Sequence, residues 1–360
     1  MKLATYSLIF VLVFLSIFTV GYLASNNYIG FGAGTGRSAT ISRFTEPTEV
    51  KSLYDLLDKL PVIGAGPVVL DKNGQSLLYY NESTGYLHRI NLTTSTSKDE
   101  SLERLRPYLA NLQWSLDRQK ILASDGTENI LYNLASGESR ILPKSIQFSV
   151  FSPSGDRVSY IDYDAEQNTA NLVVADSNFT SLKALTLLTV GSWSLNWVNQ
   201  TTLALGYNNQ NTWGLMLVDA NNGGLTRVFV NLPNLQTTWS PNGQSLLYSF
   251  SDKNHSPMLA YQNMANIGND IKLPLVTPAS NCVWSIDNVT IYCAVSKSTT
   301  RGQEDDEFVS LQIGHTLQNL RMNNFSKIKA ENLLLSADEK YLFFRNTSDG
   351  NLYRLRIVPE

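Results

Sequence analysis

From about residue 62 onward, hydrophobic positions fall into short runs separated by polar turns. The clearest unit is Trp239-Ser240-Pro241-Asn242-Gly243-Gln244-Ser245-Leu246-Leu247-Tyr248. It reads as an aromatic strand end, a tight polar turn and an apolar strand running back. Pro presets φ and Asn-Gly tolerates φ > 0, so the middle is a turn. Leu246, Leu247 and Tyr248 suit a buried strand. Further copies span Leu70–Leu77, Trp114–Ile121, Phe151–Val158, Trp197–Leu203, Trp284–Ile291 and Leu335–Leu342. A period of roughly 40–45 residues in strand-rich sequence marks a propeller blade of four antiparallel strands.

The Trp239 copy and Phe151-Ser152-Pro153-Ser154-Gly155-Asp156-Arg157-Val158-Ser159-Tyr160 resemble the WD40-like repeat of TolB-type β-propellers. The resemblance covers about residues 62–358, most strongly in the third and fifth copies. It implies the fold and, loosely, a binding role. The repeat carries no catalytic residue of its own, so none is assigned here.

The expected architecture is all-β: a seven-bladed propeller of four-stranded antiparallel blades, preceded by one transmembrane helix. The blades are expected at about 62–107, 108–144, 145–190, 191–233, 234–277, 278–324 and 325–358. In each, the turn phrase joins the two inner strands. A third strand follows, as in Gly85–Leu92 and Asn129–Leu134, and an outer one, as in Arg140–Leu142 and Leu225–Val230. The last blade runs out after its third strand. An unpaired strand edge is a liability, so the missing outer strand is expected from before the first blade, with Ala39–Phe44 as the candidate.

The N-terminal part divides into an anchor at 1–24 and a linker with closing segment at 25–61. Leu3 to Leu23 carries no charge, and about 20 apolar residues span a ~30 Å hydrocarbon core. No small-residue cleavage site follows closely, because Tyr22 occupies the −3 position for cleavage after Ala24. An uncleaved single-pass anchor is therefore expected over a cleaved signal. The very short tail before it favours a propeller on the extracytoplasmic side. Gly30, Gly32, Gly34 and Gly36 match neither a dinucleotide nor a Walker fingerprint and read as a spacer. Glu49–Lys59 has helical spacing in its apolar positions, with Pro61 as a stop.

Charge narrows the function classes. The 360 residues carry a net charge of −3 and only 16% charged residues, so there is no basic field for nucleic acid. Cys282 and Cys293 are the only cysteines, and they flank the Trp284 turn. If Ser285 pairs with Thr290, the two stand directly opposite on antiparallel strands. A disulfide is expected in an oxidising compartment, the alternative being two buried thiols. His88, His255 and His315 fall in different blades, so no metal site is expected. Glu304-Asp305-Asp306-Glu307 lacks the alternating ligands and glycine of a calcium loop and reads as a solvated, mobile loop. Trp114, Trp197, Trp239 and Trp284 recur at the blade period and read as inter-blade core. Asp71, Asp117, Asp156 and Asp287 read as turn formers.

Neither G-x-S-x-G nor H-E-x-x-H occurs. The expected role is a non-enzymatic scaffold without cofactor, binding a protein or glycan on a propeller face or rim. The alternatives are a cell-surface hydrolase or lyase using carboxylates in the channel, and a structural subunit of an envelope complex. Convergent channel carboxylates would favour the enzyme.

Overall fold

The computed structural model describes residues 57–63 and 68–357, apart from 93–98, 126, 190, 210–211, 299–303, 315–317 and 320–327. The described residues form seven four-stranded antiparallel sheets. We name the strands A to D. In blade 3 they are Ile146–Phe151, Arg157–Asp164, Thr169–Asp176 and Lys183–Leu188. The A strands of the other blades are Val69–Leu70, Ala110–Trp114, Ser192–Asn199, Gln236–Trp239, Cys282–Trp284 and Ala330–Leu335. Several neighbouring A strands touch each other, so A is the strand that lines the axis.

The B strands are apolar on both faces because each sheet is sandwiched between two others. Successive side chains point to opposite faces. Thus Leu77 and Tyr79 of blade 1 pack with Phe343 and Leu352 of blade 7, while Tyr80 packs with Leu112 and Ile121 of blade 2. The remaining clusters join blades 2 and 3, 3 and 4, 4 and 5, 5 and 6, and 6 and 7. Each consecutive pair of sheets, and the last with the first, thus shares an apolar core, which makes the array a closed ring. Burying one such Leu or Ile contributes roughly 1.5–3 kcal/mol. The repeating large residue before each turn always packs onto the preceding blade. Trp114, Trp197, Trp239 and Trp284 do so toward blades 1, 3, 4 and 5, as expected of inter-blade core.

Closure is completed by a strand from before the first blade, as the sequence requires, but from another segment. Leu57–Ile63 pairs antiparallel with Asn351–Arg356 and forms the outer strand of blade 7. The Ala39–Phe44 candidate lies outside the described residues. The helix expected over Glu49–Lys59 is corrected from Leu57 on, where the chain is strand. Pro61 does not stop a helix there; it falls where the register shifts between Lys59 and Ile63. An outer strand has one free edge, and such edges tolerate proline.

The acidic run is also corrected. Glu304–Gln312 is the C strand of blade 6, paired along its length with Thr290–Ser298. Asp306 is tied down: its Oδ1 accepts from Ser296 Oγ at 2.8 Å and its Oδ2 from Ala330 N at 2.7 Å. The apolar run Leu3–Leu23 lies outside the described residues, among which no helix is long and apolar enough to cross a membrane.

Candidate functional site

Antiparallel alternation gives the ring two unlike ends. One carries the A–B turns; the other carries the B–C hairpins and the D–A connections. The A–B end is built by one repeated device. A buried serine (Ser115, Ser152, Ser240, Ser285, Ser336) opens the turn, and its backbone N–H donates to the carbonyl five residues on. In four of these turns the hydroxyl accepts from the backbone N–H of that same residue: Lys120, Arg157, Ser245 and Tyr341. The hydroxyl is itself a donor to a turn carboxylate or amide, as Ser115 is to Asp117 and Ser336 to Asp338. The expected turn-forming role of the aspartates holds: Asp71 Oδ1 accepts from Gln75 N and Ser76 N, and Asp287 Oδ1 from Val289 N and Thr290 N.

The third residue after the opening position is left-handed in each of these turns: Gly74, Arg118, Gly155, Gly243, Asn288 and Glu339. It faces the turn of the preceding blade. Arg118 Nε donates to Leu70 O at 2.8 Å, and Asn288 Oδ1 accepts from Asn242 N at 2.9 Å. Glu339 accepts from Ser285 Oγ at 2.9 Å and from Ile286 N at 2.6 Å. This end is therefore consumed in holding the ring together, although Leu116 and Ile286 remain exposed on it.

The axis is chemically unusual. The seven A strands together carry one ionisable side chain, Glu331. Its carboxylate lies 3.5 Å from Arg345 on the neighbouring B strand. The exposed positions on these strands are Ala110, Asn111, Gln147, Phe148, Ser192, Ser194, Asn196, Gln236 and Asn332: mostly amides and hydroxyls. Three of them share a distortion. Asn111, Phe148 and Asn332 each sit three residues before the large turn residue, at φ 51°, 47° and 54°, where the register with the B strand shifts. Such a bulge re-aims a side chain. Asn tolerates the left-handed region, whereas Phe does not gain from it. Strain of this kind collects at functional sites.

At the B–C end, a cleft of about 210 Å³ opens between blades 3 and 4. Its lining comes from the start of two A strands (Gln147, Trp193), the end of a B strand (Ile161, Tyr163), a C strand (Ala170) and a D–A connection (Gly191). Trp193 Nε1–H donates to Thr189 O at 3.0 Å, and Tyr163 Oη–H to Asn168 Oδ1 at 3.3 Å. One charge cluster at this end is internally balanced: Arg106 lies 3.0 Å from both Asp125 and Glu128. The Asp125 carboxyl is held well below the usual range, first by the Thr127 hydroxyl donating to it.

The two cysteines are joined. Cys282 and Cys293 are directly opposed in the A–B hairpin of blade 6, as pairing of Ser285 with Thr290 requires, and form a buried disulfide. The histidines do not come together. His88 stacks on Tyr79 at 4.8 Å within blade 1, His255 is exposed in the B–C hairpin of blade 5, and His315 lies outside the described residues. Among the described residues no three His, Cys, Asp or Glu side chains are grouped to hold a metal ion. The bulge positions and the Trp193 cleft escaped the sequence reading. The one available signal was Asn at the same repeat position in two blades.

No family model matches the chain, and no curated protein matches it. Solved structures do. An oligogalacturonate lyase in complex with manganese is 14% identical, with a TM-score of 0.59 over 82% of this chain and 89% of that one. An oligogalacturonate lyase from Vibrio parahaemolyticus is 13% identical, with a TM-score of 0.63 over 84% and 94%. The β-propeller domain of Cps50 (Swd1) from Myceliophteria thermophila is 12% identical, with a TM-score of 0.57 over 84% and 100%. At these identities the likeness shows the propeller fold and nothing of its use.

Proposed function

We propose that this propeller is a non-enzymatic binding module that takes an uncharged protein or glycan surface at the end bearing the B–C hairpins. The observation that carries this reading is the set of A strands lining the axis, whose one ionisable side chain among the described residues, Glu331, faces Arg345 at 3.5 Å. Hydrolysis or elimination at a sugar needs a positioned acid and base, commonly two carboxyls. The described A strands offer no such pair. An oligogalacturonate is a polyanion, and these strands carry no Lys, Arg or His to receive it. The manganese of the lyase neighbour finds no grouped donor set among the described residues here. The turn phrase supports counting the blades with TolB-type, WD40-like repeats. We further propose that residues 3–23 anchor the chain with the propeller outside, a placement in keeping with the disulfide, since disulfides persist in oxidising compartments.

The test is a pair of measurements on the full chain. Incubation with oligogalacturonate, with and without Mn²⁺, is followed by absorbance of the unsaturated product; in parallel the propeller serves as bait for in-cell crosslinking and for glycan capture. Capture without turnover is expected. Turnover abolished by Glu331→Gln would overturn the reading in favour of the enzyme.

A further inference from the structure

We infer that the cleft between blades 3 and 4 is a subsite for one pyranose ring of an uncharged oligosaccharide. The inference rests on the non-catalytic reading above and names its ligand. The indole of Trp193 is fixed before any ligand arrives. Its N–H is committed to Thr189 O at 3.0 Å, and Tyr207 packs against it at 6.1 Å between ring centroids. The half-buried ring is thus a rigid platform rather than a mobile side chain, and a pre-organised group loses little freedom on binding. Tyr163 supplies a second half-buried aromatic, its hydroxyl engaged by Asn168. Ile161 and Ala170 are buried and form an apolar floor. Gly191 adds no side chain, and Gln147 brings an exposed amide.

The chemistry of this lining selects among ligand classes. An ion finds no opposite charge in it. A hydrocarbon side chain would fill the floor but leave the Gln147 amide unmatched. A pyranose ring has both requirements in one body: an apolar C–H face that lies on an indole, and an edge of hydroxyls that exchange hydrogen bonds with an amide such as that of Gln147. Ser192 and Ser194 flank Trp193 in the sequence and are exposed on the same axis-lining strand. Successive strand residues alternate in direction, so these two serines face away from Trp193, and the hydroxyl edge of a sugar stacked on it is met by the Gln147 amide of the lining. The volume, about 210 Å³, is below the roughly 300–1,000 Å³ of drug-sized pockets. It suits a single ring, with the rest of the chain running along the neutral axis. Because nothing in the lining ionises near neutrality, binding should be nearly independent of salt and of pH between about 5 and 8.

The experiment is calorimetric and fluorescence titration of the full chain with four hexasaccharides: maltohexaose, cellohexaose, xylohexaose and mannohexaose. One or more should bind with a change in tryptophan emission. Trp193→Ala should weaken it at least tenfold, Trp193→Phe should keep most of it, and Gln147→Ala, at an exposed position, should weaken it severalfold. Leu116→Ser, at the opposite end of the ring, should change nothing. The Phe variant guards against misfolding as the cause of loss. Equal affinity in wild type and Trp193→Ala overturns the subsite, as does failure of all four sugars to bind at concentrations on the order of 10 mM. Turnover of a bound hexasaccharide would instead sink the non-catalytic reading. A protein partner captured without any sugar binding would leave that reading standing and remove this inference.

Discussion

Replacing Gly74 by alanine should weaken the junction between the first and last blades, and Ala337→Gly in the same molecule should restore most of the loss. Gly74 has φ +67°, and a Cβ built on it would lie 2.5 Å from Ala337 Cβ in the turn of blade 7. Two costs add. An L residue in the left-handed region costs roughly 1–2 kcal/mol. Overpacking against a side chain that has no far end to swing away costs roughly 1–3 kcal/mol more. Gly74→Ala alone should therefore lose about 2–5 kcal/mol. Ala337→Gly alone should lose less than about 1 kcal/mol, through chain entropy. The double variant should recover the overpacking part, so the pair should couple by about 1–3 kcal/mol. Gly155→Ala is the control. Its φ is +75°, but its nearest neighbour would be Leu116 N at 3.9 Å, an ordinary contact, so only the strain should be lost. The assay is equilibrium unfolding of the full chain in urea, followed by tryptophan emission, for wild type, both single variants and the double. Additivity within about 0.5 kcal/mol would mean that the two turns do not touch. The closure of blade 7 onto blade 1 would then be wrong.

Three other outcomes follow from the same structure. Phe148→Asn, which copies what blades 2 and 7 carry at that bulge, should raise stability by up to about 1 kcal/mol in the same urea assay, because it relieves a non-polar residue held at φ 47°. Replacing both Cys282 and Cys293 by alanine should lower stability by roughly 2–3 kcal/mol, the value for a short closed loop; both are buried, so reductant should act on the unfolded chain and not on the native one, which thiol labelling before and after urea would read. Acid should unfold the ring from the turns. The Asp156 carboxyl is depressed first by the Ser154 hydroxyl and the Asp338 carboxyl first by that of Ser336. A depressed folded pKa gives stability that is complete above the unfolded value of about 4 and disappears as pH falls through the folded one. Thermal unfolding midpoints should thus be flat from pH 5 to 8 by these groups and drop below about pH 4, and Asp156→Asn with Asp338→Asn should flatten that drop.

Much of the ring was legible because it is written seven times. The turn phrase placed the A and B strands, the tryptophans in inter-blade core, and Cys282 opposite Cys293. The strand and cysteine pairings join residues close in sequence, Cys282 and Cys293 being eleven apart. The rest depended on partners far away. Glu49–Lys59 looks helical by its apolar spacing, with Pro61 as its stop; only the free edge of blade 7 makes Leu57–Ile63 a strand. Glu304–Glu307 looks like a solvated loop until Ser296 and Ala330 are seen to hold Asp306. The candidate site was the least legible part. Trp193 is no member of the turn phrase, and its significance comes from Tyr163 on another blade.

The closing strand also sets an order in time. Leu57 pairs with Leu355, and the chain emerges from the ribosome N-terminus first. At roughly 5–20 residues per second, the first-made strand waits on the order of 15–60 s before its partner exists. Throughout that wait every finished blade is an arc with two unsealed ends, and the waiting strand is free to pair elsewhere, including with a neighbouring nascent chain. Asn351–Arg356 is therefore the latch. A truncation that removes only Asn351–Arg356 leaves six blades intact on paper, yet it deprives the ring of the moment at which it becomes one cooperative object.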